Sequence, residues 1–250
     1  MKKIFLLVTL VCFSAFGQEG EMRINMWYGT IDNSDVEEHL AFEKHFKSIW
    51  KQHKEAGNLS GWEMWQLINP HNASTQTTFL YVKFYTEENR KNNKPVSGVP
   101  EGLDQASWNL ISNKQIGHFK KIFSTDVSYK GGFNNSTAGS KPASYAVINN
   151  MSVDWYKQAE YENMELKTFM PINKANGMMA WALTKVLDQL GTERKTNYYT
   201  VDFYNSLDEI YTQRSNTSKM SKNVVEANQK MDQIRTLLSS DIFRLVDYLE

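Results

Sequence analysis

Residues 81–85 read Tyr-Val-Lys-Phe-Tyr, and 119 positions later residues 200–204 read Thr-Val-Asp-Phe-Tyr. A tryptophan precedes the Phe-Tyr pair by 22 positions in both places, as Trp62 and as Trp181. One register that holds over such a distance is typical of an internal repeat. The chain is therefore predicted to contain two copies of one structural unit.

The same order of elements is predicted in each copy: strand, helix, strand, strand, helix, strand. Helix starts are indicated by polar capping residues, and turns by clusters of Gly, Pro and Asn. The repeats are predicted at residues 18–138 and 139–250, with a linker at 131–136. The first copy has predicted strands at 24–28, 62–68, 78–85 and 127–130 and helices at 33–55 and 103–123; the second has strands at 145–149, 179–187, 197–204 and 242–248 and helices at 153–174 and 221–238.

A β-α-β-β-α-β order predicts an α+β fold of the ferredoxin-like type, an antiparallel sheet with both helices on one face. The predicted strands are apolar on both faces, so the face without helices also needs cover, and the second copy can provide it. If Leu80, Val82 and Phe84 pack beneath the helices, the alternate positions 81, 83 and 85 face the other copy.

Lys83 and Asp202 occupy equivalent positions with opposite charges. They could pair with each other, or each could have its own partner, such as Glu63 for Lys83.

In its element order, duplication and Trp and Phe-Tyr pattern, the chain resembles the dimeric α+β barrel superfamily in a tandem, single-chain form. That resemblance implies two ferredoxin-like repeats whose sheets pack as a pseudo-dimeric barrel within one chain, which would be a monomer or a homodimer.

The amino terminus is typical of an export signal over residues 1–17, with Lys2 and Lys3 before an apolar run and Ala15-Phe16-Gly17 as the cleavage pattern. The run is too short to serve as a membrane anchor. The expected location is periplasmic or secreted. The formal net charge is zero, so nucleic acid is an unexpected partner.

Aromatic residues make up 13% of the chain, which suits either an aromatic-rich core or a pocket for a flat ligand. The residues predicted to bind a small-molecule ligand are Trp50, Trp62, Tyr81, Tyr85, Glu162, Trp181 and Tyr204.

Glu43 falls on the apolar stripe of the first predicted helix, and the 119-residue offset pairs it with Glu162. A buried carboxylate has a raised pKa that suits proton transfer, although it could instead be a structural group satisfied by a tyrosine, an indole or the backbone. His39 and His53 share that helical face, and the three form the candidate catalytic set. No metal site is predicted, because His53 lies nearly three turns from Glu43.

The resemblance implies a pocket between helices and sheet. The superfamily includes cofactor-independent monooxygenases, isomerases, haem enzymes and proteins without known activity. One hypothesis is a non-catalytic exported protein that binds a small apolar or aromatic ligand or a partner. The alternative is a monooxygenase or isomerase with Glu43 or a histidine as base. No cofactor is expected from the residues; the resemblance leaves haem possible, with His39 or His53 facing the iron. Whether the protein is an enzyme stays open at this point.

Overall fold

The computed structural model describes residues 22–69, 75–92, 94–137, 140–188, 195–215 and 221–249. The predicted export signal and the predicted repeat boundary at 138/139 lie outside these residues. The strands are β1 Arg23–Asp32, β2 Gly61–Leu67, β3 Gln76–Tyr85, β4 Phe119–Asn134, β5 Tyr145–Val153, β6 Ala180–Val186, β7 Tyr198–Tyr204 and β8 Arg235–Tyr248. The helices are α1 Val36–Glu55, α2 Glu87–Lys91, α3 Gln105–His118, α4 Gln158–Met164, α5 Met170–Ala175, α6 Leu207–Ser215 and α7 Lys222–Asp232.

The strands are hydrogen-bonded in the order β1-β3-β2-β8-β5-β7-β6-β4, which closes into one antiparallel barrel. The predicted α+β class and barrel are thereby confirmed. Two compact units are present: a first unit of residues 22–126 with 245–249, and a second unit of residues 127–244. None of the described helices is long and apolar enough to cross a membrane.

In the first unit, β3 lies between β1 and β2, and Tyr81 stands opposite Trp27 on one side and Met64 on the other. Helix α1 ends before Gly57, whose φ of 79° permits the left-handed turn that stops a helix. The buried core beneath α1 consists of Ile31, Trp62, Met64, Phe79, Tyr81 and Leu249.

The sheet face beneath α1 is the alternative to the one considered from the sequence, in which Leu80, Val82 and Phe84 pack beneath the helices. Tyr81 hydrogen-bonds to residues of α1, and Lys83 lies over Trp50 of the same helix, so positions 81 and 83 face the helix. Leu80 and Val82 are buried on the other face. Alternation defines the two sets of side chains but not their direction, and both sets here are apolar enough to be buried.

In the second unit, β7 lies between β5 and β6, and β4 extends the sheet beyond β6. The predicted linker is largely wrong, because Gly131–Asn134 belong to β4. A Cβ on Gly132 would lie 2.2 Å from the Trp181 carbonyl oxygen, so the glycine serves close strand packing.

Two predicted helices are shorter than expected, and the strands that follow them are longer. The helix predicted at 103–123 ends at His118, and the one predicted at 221–238 ends at Asp232. Along β4, Thr125, Val127 and Tyr129 are buried at alternate positions, which is the period of a strand.

The 119-residue offset is confirmed for the central strands, where Gly61 pairs with Phe84 and Ala180 with Phe203. It is wrong for the first helix of each copy. The turns that precede these helices begin at Asn33 and Trp155, 122 positions apart.

Glu43 therefore corresponds to Glu165 rather than Glu162, and His39 corresponds to Tyr161. The reason is a length difference that begins inside the helix: α1 spans 36–55, whereas α4, a π-helical turn at Glu165–Phe169 and α5 together span 158–175, which is two residues fewer. The turn that follows, at 176–179 rather than 56–60, is one residue shorter, and the offset thereby returns to 119.

Candidate functional site

A cavity of about 220 Å³ lies in the first unit between α1, α3 and the sheet. Its wall is mainly aromatic and aliphatic, and Ile116 and Ile122, which are more than half exposed, stand at its solvent side. The lining residues are Trp27, Glu43, Phe46, Trp50, Tyr81, Lys83, Gln115, Ile116, Phe119 and Ile122.

Glu43 is the buried carboxylate of this wall, with 4% of its surface exposed. The Tyr81 hydroxyl donates to its Oε1 at 2.8 Å, and Nε2 of Gln115 donates to the same oxygen. Burial raises the pKa of Glu43 to about 7, and these two hydrogen bonds act in the opposite direction. Among the described residues no hydrogen bond reaches Oε2, so this oxygen can accept a proton from a ligand.

His39 is fully buried behind Glu43 and Tyr81. Its Nε2 lies 2.6 Å from the Tyr81 hydroxyl oxygen. Because Tyr81 gives its only proton to Glu43, Nε2 of His39 carries the hydrogen and donates it to Tyr81. Nδ1 then bears a lone pair, which has no partner among the described residues. Burial lowers the pKa of His39 to about 4, so the ring is neutral at pH 7 and fixes the position of Tyr81.

Lys83 is the cationic group of the wall. Its Nζ lies 4.2 Å from the centre of the Trp50 ring, a cation–π contact. Burial lowers the pKa of Lys83, although Asp126 acts to raise it. The predicted alternative partner, Glu63, is wrong, because Glu63 lies on the opposite sheet face and accepts from the Trp65 indole at 2.9 Å.

Part of the predicted catalytic and ligand-binding set comes together at this site. Glu43, Trp50 and Tyr81 line the cavity, with His39 directly behind. His53 does not line it; its Nδ1 accepts from the side chain of Asn58 at 3.4 Å.

Trp62 is buried in the core beneath α1, and Tyr85 lies beyond Lys83 on β3 without lining the cavity.

The remaining predicted ligand residues lie in the second unit. Glu162 accepts from the Tyr198 hydroxyl at 2.6 Å, and the Tyr204 hydroxyl donates to Gln213 at 2.9 Å. Trp181 lines a separate cavity there. Sequence reasoning missed Trp27, Phe119 and Gln115 as lining residues; Gln115 sits in a helix whose polar pattern carries no sign that it points inward.

A haem iron does not fit the described histidines in this arrangement. None of them lines the cavity, Nε2 of His39 is engaged with Tyr81, and His53 is turned toward Asn58. The described residues also contain no group of three or more His, Cys, Asp or Glu side chains placed to hold a metal ion.

No protein-family model and no curated protein sequence matches the chain. Solved structures show that its fold is that of the dimeric α+β barrel proteins. One similar structure is a candidate monooxygenase from Fusobacterium nucleatum, with a TM-score of 0.61 and 10% identity over 92% of this chain and 95% of that one.

A candidate monooxygenase from Lactobacillus acidophilus has a TM-score of 0.55 and 13% identity over 90% of this chain and 93% of that one. An anthrone oxidase-like protein has a TM-score of 0.53 and 13% identity over 92% and 93%. At these identities the likeness shows the fold alone.

Proposed function

We propose that the first unit binds a small planar aromatic compound and removes a proton from it, as the first step of a cofactor-independent oxygenation or isomerisation. The observation that carries this proposal is the Glu43 carboxylate, buried in the wall of an aromatic cavity with Oε2 free. A general base works best when its pKa lies near the working pH, and that of Glu43 is about 7.

The other lining groups support the same chemistry. Aromatic walls favour a flat, apolar ligand, and a volume of about 220 Å³ restricts it to a few fused rings. Deprotonation leaves an anion, and the Lys83 ammonium in the same wall stabilises it. Tyr81 and Gln115 hold Glu43 in place through Oε1.

In the oxygenation branch, a substrate CH₂ loses a proton to Glu43 and the carbanion reacts with O₂. The CH₂ becomes C=O, one oxygen atom enters the product and the other leaves as water, so the substrate itself supplies the electrons. Two of the similar folds carry the name of a candidate monooxygenase and one that of an anthrone oxidase-like protein, which supports this branch.

Anthrone, an aromatic ketone with an acidic CH₂, is a direct probe. We expect the wild-type protein to consume one O₂ per anthrone and to form anthraquinone faster than the protein-free reaction. Glu43→Gln should lower this rate by about two orders of magnitude or more. Glu165→Gln, the matched change in the second unit, should leave it unchanged. Equal rates with and without protein for anthrone and for smaller aromatic ketones would contradict the oxygenase proposal.

A second candidate function is binding of an aromatic ligand without chemistry. It is favoured by the hydrogen bonds from Tyr81 and Gln115, which also suffice to explain a structural glutamate. Saturable quenching of tryptophan fluorescence by 2-naphthol, with no O₂ uptake and no product from any ketone, would select this function.

We also propose that the protein is exported and that residues 1–17 are removed. The charged start, short apolar run and small-residue cleavage pattern support this. Expression in a bacterial host should yield, outside the cytoplasm, a chain whose mass begins at Gln18; an intact amino terminus in the cytoplasm would contradict it.

A further inference from the structure

The second unit contains a cavity of its own, about 180 Å³ in volume, between its helices and its sheet. It occupies the place equivalent to the aromatic cavity but has a polar wall. Tyr81 and Lys83 of the first unit correspond to Thr200 and Asp202, and Asn149 stands opposite Thr200 where Trp27 stands opposite Tyr81.

Two charged groups in this wall lie close together without a hydrogen bond between them. Glu165 is 5% exposed, and Nε of Arg235 lies 4.0 Å from its Oε1, beyond hydrogen-bonding distance. Nε is buried and has no hydrogen-bond partner among the described residues. A largely buried guanidinium in this state favours an oxyanion, which its planar fork can bind through two hydrogen bonds.

Asp202 is a second carboxylate of the same wall. Its Oδ2 accepts from the Asn149 amide at 3.0 Å, whereas no described residue donates to Oδ1. Burial raises the pKa of Asp202 to about 6 and that of Glu165 to about 7. A cation placed between these carboxylates would stabilise their ionised forms.

We propose that this cavity binds a small zwitterion that carries a carboxylate and an ammonium group, of the size of an amino acid. Arg235 binds the carboxylate, and Glu165 and Asp202 bind the ammonium. Phe169 and Leu237, which also line the cavity, contact an apolar side chain. A zwitterion can donate to the carboxylates and accept from Arg235 at the same time, whereas a simple acid or a simple amine can interact with only one sign of buried charge.

This site is independent of the aromatic cavity, and its test needs no enzymatic activity. Isothermal titration of the full chain with glycine, alanine, leucine and phenylalanine should reveal one-to-one binding of at least one of them. Leucine has two matched probes: 4-methylpentanoate lacks the ammonium, and isopentylamine lacks the carboxylate. If leucine is the ligand, each probe should bind at least about tenfold more weakly than leucine. Glucose should not bind. Matched acids and amines serve the other amino acids in the same way.

Arg235→Met and Asp202→Asn should each weaken amino-acid binding at least about tenfold. Arg235→Lys retains the charge but not the fork, so it should also weaken binding, and urea unfolding of each variant verifies that it is folded. Lys83→Met, the change at the position equivalent to Asp202 in the first unit, should leave binding unaltered. The proposal would be overturned if none of the four amino acids binds, or if the matched acid or amine binds as tightly as its amino acid. Binding of glucose instead, or full affinity in folded Arg235→Met, would also overturn it.

Discussion

The hydroxyl of Tyr81 donates to Oε1 of Glu43 at 2.8 Å and thereby joins the centre of β3 to the buried side of α1. The same hydroxyl oxygen accepts from His39, so one tyrosine orients two of the three candidate bases predicted from the sequence. The ionisation of Glu43 therefore depends on Tyr81.

Tyr81→Phe removes this hydroxyl while keeping the ring. Glu43 loses a hydrogen bond that lowers its pKa, so the pKa should rise above about 7 and the base-dependent limb of a pH–rate profile should move to higher pH. The free energy of unfolding should fall by about 1–3 kcal/mol, because His39 and Glu43 lose a buried partner. Tyr204→Phe, which loses only a neutral bond to Gln213, is the control and should leave the pH profile in place. An unshifted profile in Tyr81→Phe would argue against Glu43 as the base.

Glu43→Gln should change how stability depends on pH. In the folded protein the pKa of Glu43 is about 7, against an ordinary value of 4.5, so the folded state binds the proton more tightly. The contribution of Glu43 to stability is thus fully present below about pH 4.5 and is lost as the pH rises through about 7. Relative to wild type, the variant should gain up to about 3 kcal/mol across this window. Urea unfolding at pH 4.5, 6, 7 and 8 measures the difference, and a constant difference would contradict the raised pKa.

Glu63→Gln provides a control for the preceding experiment. Burial also raises the pKa of Glu63 to about 7, but this residue lies outside the cavity, bonded to the Trp65 indole. Its replacement should produce a similar change in pH dependence of stability without altering ligand binding or activity.

The helices and strands could be predicted from their periodicity and duplication, and Glu43 could be predicted as a candidate base from its position on an apolar stripe. The β3 face that contacts α1 could not be predicted, because packing either face against the helix buries a comparable apolar surface. The predicted equivalence of Glu43 and Glu162 is wrong because the second repeat is shorter within the helix, so the equivalent residue is Glu165. Gln115 comes from another element, so only the tertiary structure reveals its contact with Glu43.

Lys83→Met should separate binding of anionic and neutral aromatic ligands. Lys83 lines the cavity and lies over Trp50, so its removal should lower the affinity for the 4-nitrophenolate anion at least about tenfold. Affinity for neutral nitrobenzene should change little, and Lys83→Arg should retain most of the preference. Titrations followed by tryptophan fluorescence measure both affinities; an equal loss for the two ligands would indicate a packing role instead.

Haem should not bind to the full chain through His39 or His53. Nε2 of His39 is engaged with Tyr81 and His53 lies outside the cavity, so the Soret band of added haem should be the same with the wild type, His39→Ala and His53→Ala. A shifted band that disappears in His39→Ala or in His53→Ala would show that this histidine binds the haem iron. A haem-dependent function would then replace the proposed cofactor-independent one.

The predicted repeats, residues 18–138 and 139–250, should not fold as separate monomers. The second unit uses Val127–Asn134 of β4 as the strand beside β6, and a 139–250 fragment lacks it. The first unit uses the end of the chain, where Leu249 donates its N–H to the Trp62 carbonyl oxygen at 3.0 Å and Asp247 pairs with Lys47 at 2.6 Å.

Each fragment would therefore expose strand edges and buried apolar side chains such as Trp62 and Trp181, which favours association or unfolding. Circular dichroism and analytical ultracentrifugation of the separate fragments should show low structure or oligomers, whereas mixing them should restore one cooperative unfolding transition close to that of the full chain. The prediction would be contradicted if both fragments were stable monomers that unfold as cooperatively as the intact protein. Neither unit would then need the strand segments supplied from the other half of the sequence.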